Sequence, residues 1–119
     1  MKTEDLRIGN YVKCVDGNII RINKDDMMCI LMQTYEVKPI PLKEEILRNC
    51  RFRGMDTKKM YLPLTKIKSE IHAVWMHRFK AYVFELHSHL HPIVLDLTFL
   101  HELQNLCFAL TGEELEVNL

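Results

Sequence analysis

The C-terminal end of the chain decides the fold, because residues 96–112 read DLTFLHELQNLCFALTG. At 100° per residue, six apolar side chains fall within an arc of about 120°, which predicts an amphipathic helix. They are Phe99, Leu100, Leu103, Leu106, Cys107 and Leu110. Asp96 or Thr98 can cap the start of this helix, and Gly112 can adopt the left-handed conformation just after its end. A short strand is predicted behind the helix, in residues 113–117.

One apolar residue of this helix, Phe108, lies on the polar side. His101 and Gln104 are among its neighbours on that side. Either another segment of the chain covers the Phe108 ring, or the ring contacts a partner or a second copy of the chain. We therefore predict a protein interface that contains Phe108, Gln104 and His101.

The first half of the chain contains a strong hairpin pattern. Asp16-Gly17 lies between two β-branched runs, which predicts a hairpin with a two-residue type I′ turn. The short apolar run Met27–Gln33 is predicted as a third strand, since its length and the preceding hairpin favour a strand over a buried helix. Pro39-Ile-Pro41 then precedes a predicted short helix over Leu42–Cys50, with acidic residues in its first turn.

The second half of the chain predicts further strands and, with them, the fold class. Apolar residues alternate along Lys66–Trp75 and Phe79–Leu90, and Ile93–Leu95 adds a short run. The chain is therefore predicted to be α+β, with a bent antiparallel sheet of five or six strands packed against the C-terminal helix and one short additional helix. An SH3-like or small barrel start is compatible with the opening hairpin, which is apolar on both faces.

Size and composition indicate one ordinary globular unit. The 119 residues contain 48% hydrophobic and 27% charged residues, which suits a single domain spanning 1–119. No apolar stretch is long enough to span a bilayer, and the first residues lack the apolar segment of a signal peptide. The four cysteines are widely spaced without a C-x-x-C pair, so we expect them to be reduced and the protein to be cytoplasmic.

Three stretches carry a resemblance to a protein family. They are the opening Leu6–Val12, the central Tyr35–Leu47 with its PIPL motif, and the closing LHELQNLCFALTGEEL of residues 100–115. Together they cover about a third of the chain and resemble a family of small proteins of unknown function from Bacteroides-type gut bacteria and their prophages and mobile elements. The resemblance implies an intracellular protein and a genomic setting, and it implies no activity, ligand or catalytic residue.

The net charge of zero conceals a separation of charge along the chain. Residues 43–80 carry ten basic and four acidic groups, whereas residues 81–119 carry six acidic groups and no Lys or Arg. The basic segment predicts a nucleic-acid-binding surface if its charges face an anionic partner. The alternative is that the two segments pair in the fold and neutralise each other. The candidate residues are Arg48, Arg51, Arg53, Lys58, Lys59, Lys66 and Lys68.

Histidines alternate along the strand predicted near residue 85. His87, His89 and His91 would share one face, and H-x-H on a strand is a known arrangement for two imidazoles on zinc. We consider a zinc or nickel site at these three residues, with a further ligand from His72, His77, Glu70 or His101. The alternative is that this is simply the polar, solvent-facing side of an antiparallel strand.

Catalytic motifs are absent from the sequence. It contains no G-x-S-x-G, no P-loop, no H-E-x-x-H and no dinucleotide fingerprint. Cys50 or Cys107 with a histidine could form a nucleophile pair, but Cys107 lies in the apolar arc, where a thiolate is disfavoured. We expect no enzyme and no cofactor. The predicted function is a protein-interaction or adaptor module of a prophage or mobile element, with an unknown protein partner or self-association. The alternative is a nucleic-acid-binding module.

Overall fold

The computed structural model describes residues 5–88 and 91–119. Its described residues form seven strands, three α-helices and a 3-10 turn at Thr65–Ile67. The strands are β1 (Tyr11–Cys14), β2 (Ile19–Arg21), β3 (Val37–Lys38), β4 (Lys59–Leu64), β5 (Ser69–Met76), β6 (Ala81–His87) and β7 (Ile93–Leu95). The helices are α1 (Lys24–Leu31), α2 (Glu44–Asn49) and α3 (Leu100–Thr111). None of the helices described is long and apolar enough to cross a membrane.

The predicted α+β class is confirmed, but the strands form two antiparallel sheets instead of one bent sheet. The small sheet has the order β2-β1-β3, and the large sheet has the order β4-β5-β6-β7. No strand among the described residues belongs to both sheets, so the chain does not close into the SH3-like barrel considered from the sequence.

The predicted third strand, Met27–Gln33, is wrong, because residues 27–31 of this run belong to helix α1 and the last two form a turn. Asn23 and Asp26 form a capping box: Asp26 N–H donates to Asn23 Oδ1 over 2.8 Å, and Asn23 N–H donates to Asp26 Oδ2 over 3.1 Å. These two bonds satisfy backbone donors at the start of the helix. The polar residues before the apolar run are therefore the beginning of a helix.

The predicted hairpin forms, but its register differs by one residue. Tyr11 pairs with Arg21 and Val12 pairs with Ile20, because the loop has three residues with Gly17 at a φ of +92°. This is the turn followed by a left-handed residue that is typical of three-residue hairpins. The slip brings Val12 and Ile20 to the same face, where Val12 and Ile22 are buried.

The core of the large sheet lies between its inner face and helices α2 and α3. Ile71, Ala73 and Phe84 contribute the sheet side, and Leu100 and Leu103 contribute the helix side. Strand β4, which contains Pro63, was not predicted. The structure accommodates this proline on an edge strand, where a missing backbone donor is tolerated.

The C-terminal helix forms as predicted over most of its length. Gly112 adopts the left-handed conformation just after its end, with a φ of +73°. The predicted Asp96 or Thr98 cap is wrong: Phe99 precedes the helix in an extended conformation, and Glu102 Oε1 accepts the N–H groups of Thr98 and Phe99 over 2.9 and 2.8 Å. Residues 113–119 form no strand.

Candidate functional site

Two of the three predicted interface residues on α3 are buried inside the protein. His101 is 2% exposed and Gln104 is fully buried. Gln104 Oε1 accepts the Tyr11 N–H over 2.8 Å, and its Nε2 donates to the Gly9 carbonyl over 3.0 Å. This side of the helix is covered by the start of β1, so His101 and Gln104 do not present side chains to a partner.

The ring of Phe108 is partly covered by Arg7 of the same chain. The Arg7 guanidinium carbon lies 4.5 Å from the ring centroid, a cation–π arrangement. Arg7 is held there by Asn105 Oδ1 at 3.1 Å and by the Glu114 carboxylate. The chain itself therefore covers one face of the ring, while Phe108 as a whole remains 41% exposed.

His101 is an unusual buried histidine. Its Nδ1 is buried without a hydrogen-bond partner among the described residues, and its ring lies nearly parallel to that of Phe99 at 6.0 Å. Burial lowers the pKa of His101, although the carboxylates of Glu102 and Asp5 oppose this effect. The net effect of its surroundings is to favour the neutral imidazole over the charged one.

This burial predicts a loss of stability in acid. Below about pH 6.5, His101 is protonated more readily in the unfolded chain than in the folded one. The free energy of unfolding therefore falls as the pH decreases toward the lowered pKa of the folded state. The thermal midpoint should drop more steeply between pH 8 and pH 5 in the native protein than in His101→Leu. His77→Leu, the same change in an exposed turn, should keep the native slope. Identical slopes in the native protein and His101→Leu would contradict this.

The described histidines of the large sheet form a stacked pair, not a chelate. His72 and His87 lie on neighbouring strands with ring centroids 3.8 Å apart. Their Nε2 atoms contact Glu70 Oε1 at 3.0 Å and Glu85 Oε1 at 3.3 Å. Because nitrogen lone pairs lie in the ring plane, two stacked rings do not converge on one ion.

The predicted metal site at His87, His89 and His91 is therefore not assembled by the part of the chain that the structure describes. No group of three or more His, Cys, Asp or Glu side chains in that part could hold a metal ion. His91 is exposed before β7, and His89 lies outside the described residues. The metal site stays a prediction.

The predicted basic residues separate into different places. Arg48, Arg51, Arg53 and Lys66 line one groove of about 620 Å³, beside the turn between β4 and β5. Lys68 lines a second hollow near His87. Lys58 and Lys59 lie at the start of β4, two to three residues before Tyr61, and do not line this groove.

The acidic C-terminal segment lies against this groove. We name residues 113–118 the strap. Glu113 contacts Lys66 at 3.3 Å and Glu116 contacts Arg51 at 2.7 Å. Strands β5 and β6, which belong to the basic and the acidic segment, are also neighbours. The two charged segments thus meet in the fold, which weakens the argument for a broad basic face.

The two cysteines that line the groove are poor nucleophiles. Burial raises the pKa of Cys50 and of Cys107 to about 12, and for Cys50 the nearby Cys107 adds to this effect. Both thiols therefore remain protonated at neutral pH, which disfavours the nucleophile pair considered from the sequence.

The end of helix α1 and the turn after it carry an exposed apolar surface that was not predicted. Met28 and Leu31 lie on α1, Met32 caps its end and Tyr35 lies in the following bend, and these residues are between 46% and 68% exposed. We name these four residues the α1 surface. The helical spacing and the Asn23–Asp26 capping box are present in the sequence and could have revealed it.

Comparison of the chain with protein-family models, with curated proteins and with solved structures found no match.

Proposed function

We propose that this protein is a protein-interaction module that binds its partner through the α1 surface. The observation that carries the proposal is the exposure of four large apolar side chains on the end of one short helix and the turn that follows it. Single exposed apolar residues are ordinary, but several close together typically indicate an interaction site. Two of the four are methionines, which adapt readily to a partner surface.

The expected partner is a different protein with an apolar cleft. Four half-exposed large side chains offer on the order of 100 Å² each, so a symmetric dimer on this surface alone would bury only about 800 Å². That is below the size of a stable interface. A cleft that encloses the helix from several sides buries more, as in helix-in-groove recognition.

The surroundings of the helix suit this mode. Lys24 and Asp25 lie beside the exposed row at the start of α1, while Met27 and Ile30 anchor the opposite side in the small core. The helix is therefore held by the protein and need not fold upon binding, which reduces the entropic cost of association.

A cytoplasmic location and a prophage or mobile-element setting belong to the same proposal, and the neighbouring genes in the native host would test that setting.

A pull-down with paired variants tests the α1 surface. A partner captured by the native protein should be lost with Leu31→Lys, because a charge is placed in the centre of the apolar row. Met55→Lys makes the same kind of change at an isolated, fully exposed methionine and should retain the partner.

Thermal melting of both variants separates lost binding from lost folding. The native protein should be a monomer by light scattering at micromolar concentration. Equal capture by native protein and Leu31→Lys would overturn the proposal, and so would a dimer that Leu31→Lys dissociates, since the partner would then be a second copy.

A further inference from the structure

A second surface of the protein, the groove beside the strap, is lined by four cations and by the carboxylates of Glu113, Glu114 and Glu116, of which Glu114 pairs with Arg7 outside the groove lining. Arg48 and Arg51 come from the end of α2, Arg53 comes from the segment that bridges to Tyr61, and Lys66 comes from the turn between β4 and β5. Among the residues that the structure describes, Arg48 and Arg53 form no ion pair. Two of the four cations are thus available to an anion.

The other two cations are engaged by the strap, but only weakly. The side chains of the Arg51–Glu116 and Lys66–Glu113 pairs are all more than half exposed. Exposed pairs of this kind contribute little to stability. A ligand with several negative charges can therefore replace the two carboxylates without leaving a buried charge unpaired.

The strap itself stays attached when these ion pairs break. Leu115 and Val117 pack against the large core, and the Asn118 N–H donates to the Asn49 carbonyl over 2.9 Å. Glu113 and Glu116 lie on either side of the anchored Leu115 in the chain. The strap thus keeps these two carboxylates at the groove, where they pair with Lys66 and Arg51.

The backbone at Arg51 adds a separate observation. Arg51 follows the end of α2 with a φ of +73°, a left-handed position where glycine is the usual residue. Gln33, Lys68 and Lys80 share this conformation, so it determines the direction of the Arg51 side chain without being particular to the groove. Arg51 presents its side chain to the groove.

We propose that this groove binds a small ligand with at least two adjacent phosphates, and that the strap competes with it. Phosphate oxygens match arginine side chains in charge and geometry. The volume is within the range of small-molecule sites, and Phe52, Leu62 and Leu64 supply apolar lining. A nucleic acid fits less well, because Lys58, Lys59 and Lys68 lie elsewhere and the cations form a cluster instead of a track.

Binding of inorganic triphosphate at low salt, measured by calorimetry, tests the site. Arg48→Gln with Arg53→Gln should weaken binding at least tenfold, because the two unpaired cations are lost. Glu113→Gln with Glu116→Gln should tighten it about threefold to tenfold, because the competing carboxylates are lost. Lys58→Gln with Lys59→Gln removes the same charge from two residues that do not line the groove and should change the affinity less than twofold.

Parallel titrations separate the sources of phosphate. ADP that binds at least as tightly as triphosphate would identify a nucleotide, and weaker ADP binding would identify a polyphosphate chain. An equal loss of triphosphate affinity in the arginine and lysine double variants would overturn the proposal. It would also be overturned if neither the native protein nor the Glu113/Glu116 double variant bound triphosphate saturably. An oligonucleotide that binds more tightly than triphosphate and depends on Lys58 and Lys59 would also overturn it. Leu31→Lys should bind triphosphate normally, so this site can fail independently of the α1 surface.

Discussion

Replacing Gln104 with leucine is expected to lower the free energy of unfolding by about 2–5 kcal/mol. The side chain is fully buried and satisfies two backbone groups at the start of β1, the Tyr11 N–H and the Gly9 carbonyl. Leucine fills a similar volume but leaves both groups without a partner away from water. Each unsatisfied group costs about 1–3 kcal/mol, which is large against the 5–15 kcal/mol total stability of a typical domain.

Urea denaturation followed by circular dichroism measures this loss. Ala109→Leu introduces leucine at an exposed position of the same helix, and it should change the free energy of unfolding by no more than about 0.5 kcal/mol. A loss below about 1 kcal/mol for Gln104→Leu would show that the two backbone groups do not depend on this side chain.

Gln104 also shows why the C-terminal helix was predicted only in part. The apolar arc from Leu100 onward and the end of the helix at Gly112 follow from local pattern, and the structure contains them, whereas the predicted cap at its start was wrong. Burial of the polar side follows from the small sheet, whose first strand lies against that side. No periodicity within α3 indicates that another segment will cover it, since the partner is about 95 residues away in sequence.

The sheets show the same division between local and long-range information. The hairpin was predictable because Asp16-Gly17 is a local signal, but its register depends on one residue of loop length and on which face is buried. Helix α1 was predicted as a strand because the short length of its apolar run and the preceding hairpin favour a strand, and the capping box at Asn23 was not considered. The separation into two sheets depends on pairing between distant strands, which a single sequence does not specify.

The groove is composed of segments far apart in the chain, residues 48–53, residue 66 and the strap. The charge separation predicted that basic and acidic segments could meet, and they do at Arg51 and Lys66. The charge separation did not predict that Arg48 and Arg53 would form no ion pair among the described residues. That difference arises from side-chain placement, which is settled only when α2, β4 and the strap pack together.

Replacing Gly54 with alanine is expected to cost about 2–5 kcal/mol, because two separate penalties act at this position. Gly54 has a φ of +120°, which side chains other than hydrogen rarely permit. In addition, a Cβ there would lie 2.9 Å from the backbone carbonyl oxygen of Lys59, which cannot move without disturbing β4.

Gly17 provides the matched control, since its φ is +92° and a Cβ there would meet nothing within 4 Å. Gly17→Ala should therefore show the conformational penalty alone, about 1–3 kcal/mol, and Gly54→Ala should exceed it in urea denaturation.

Gly54 also follows Arg53, whose backbone exchanges two hydrogen bonds with Tyr61 at 2.7 and 2.9 Å. Displacement of this bridge moves Arg53 away from the groove, so triphosphate binding should weaken in Gly54→Ala and remain native in Gly17→Ala. Equal losses of stability in the two alanine variants would show that β4 yields to the added methyl group, and the close approach at Gly54 would then not constrain the groove.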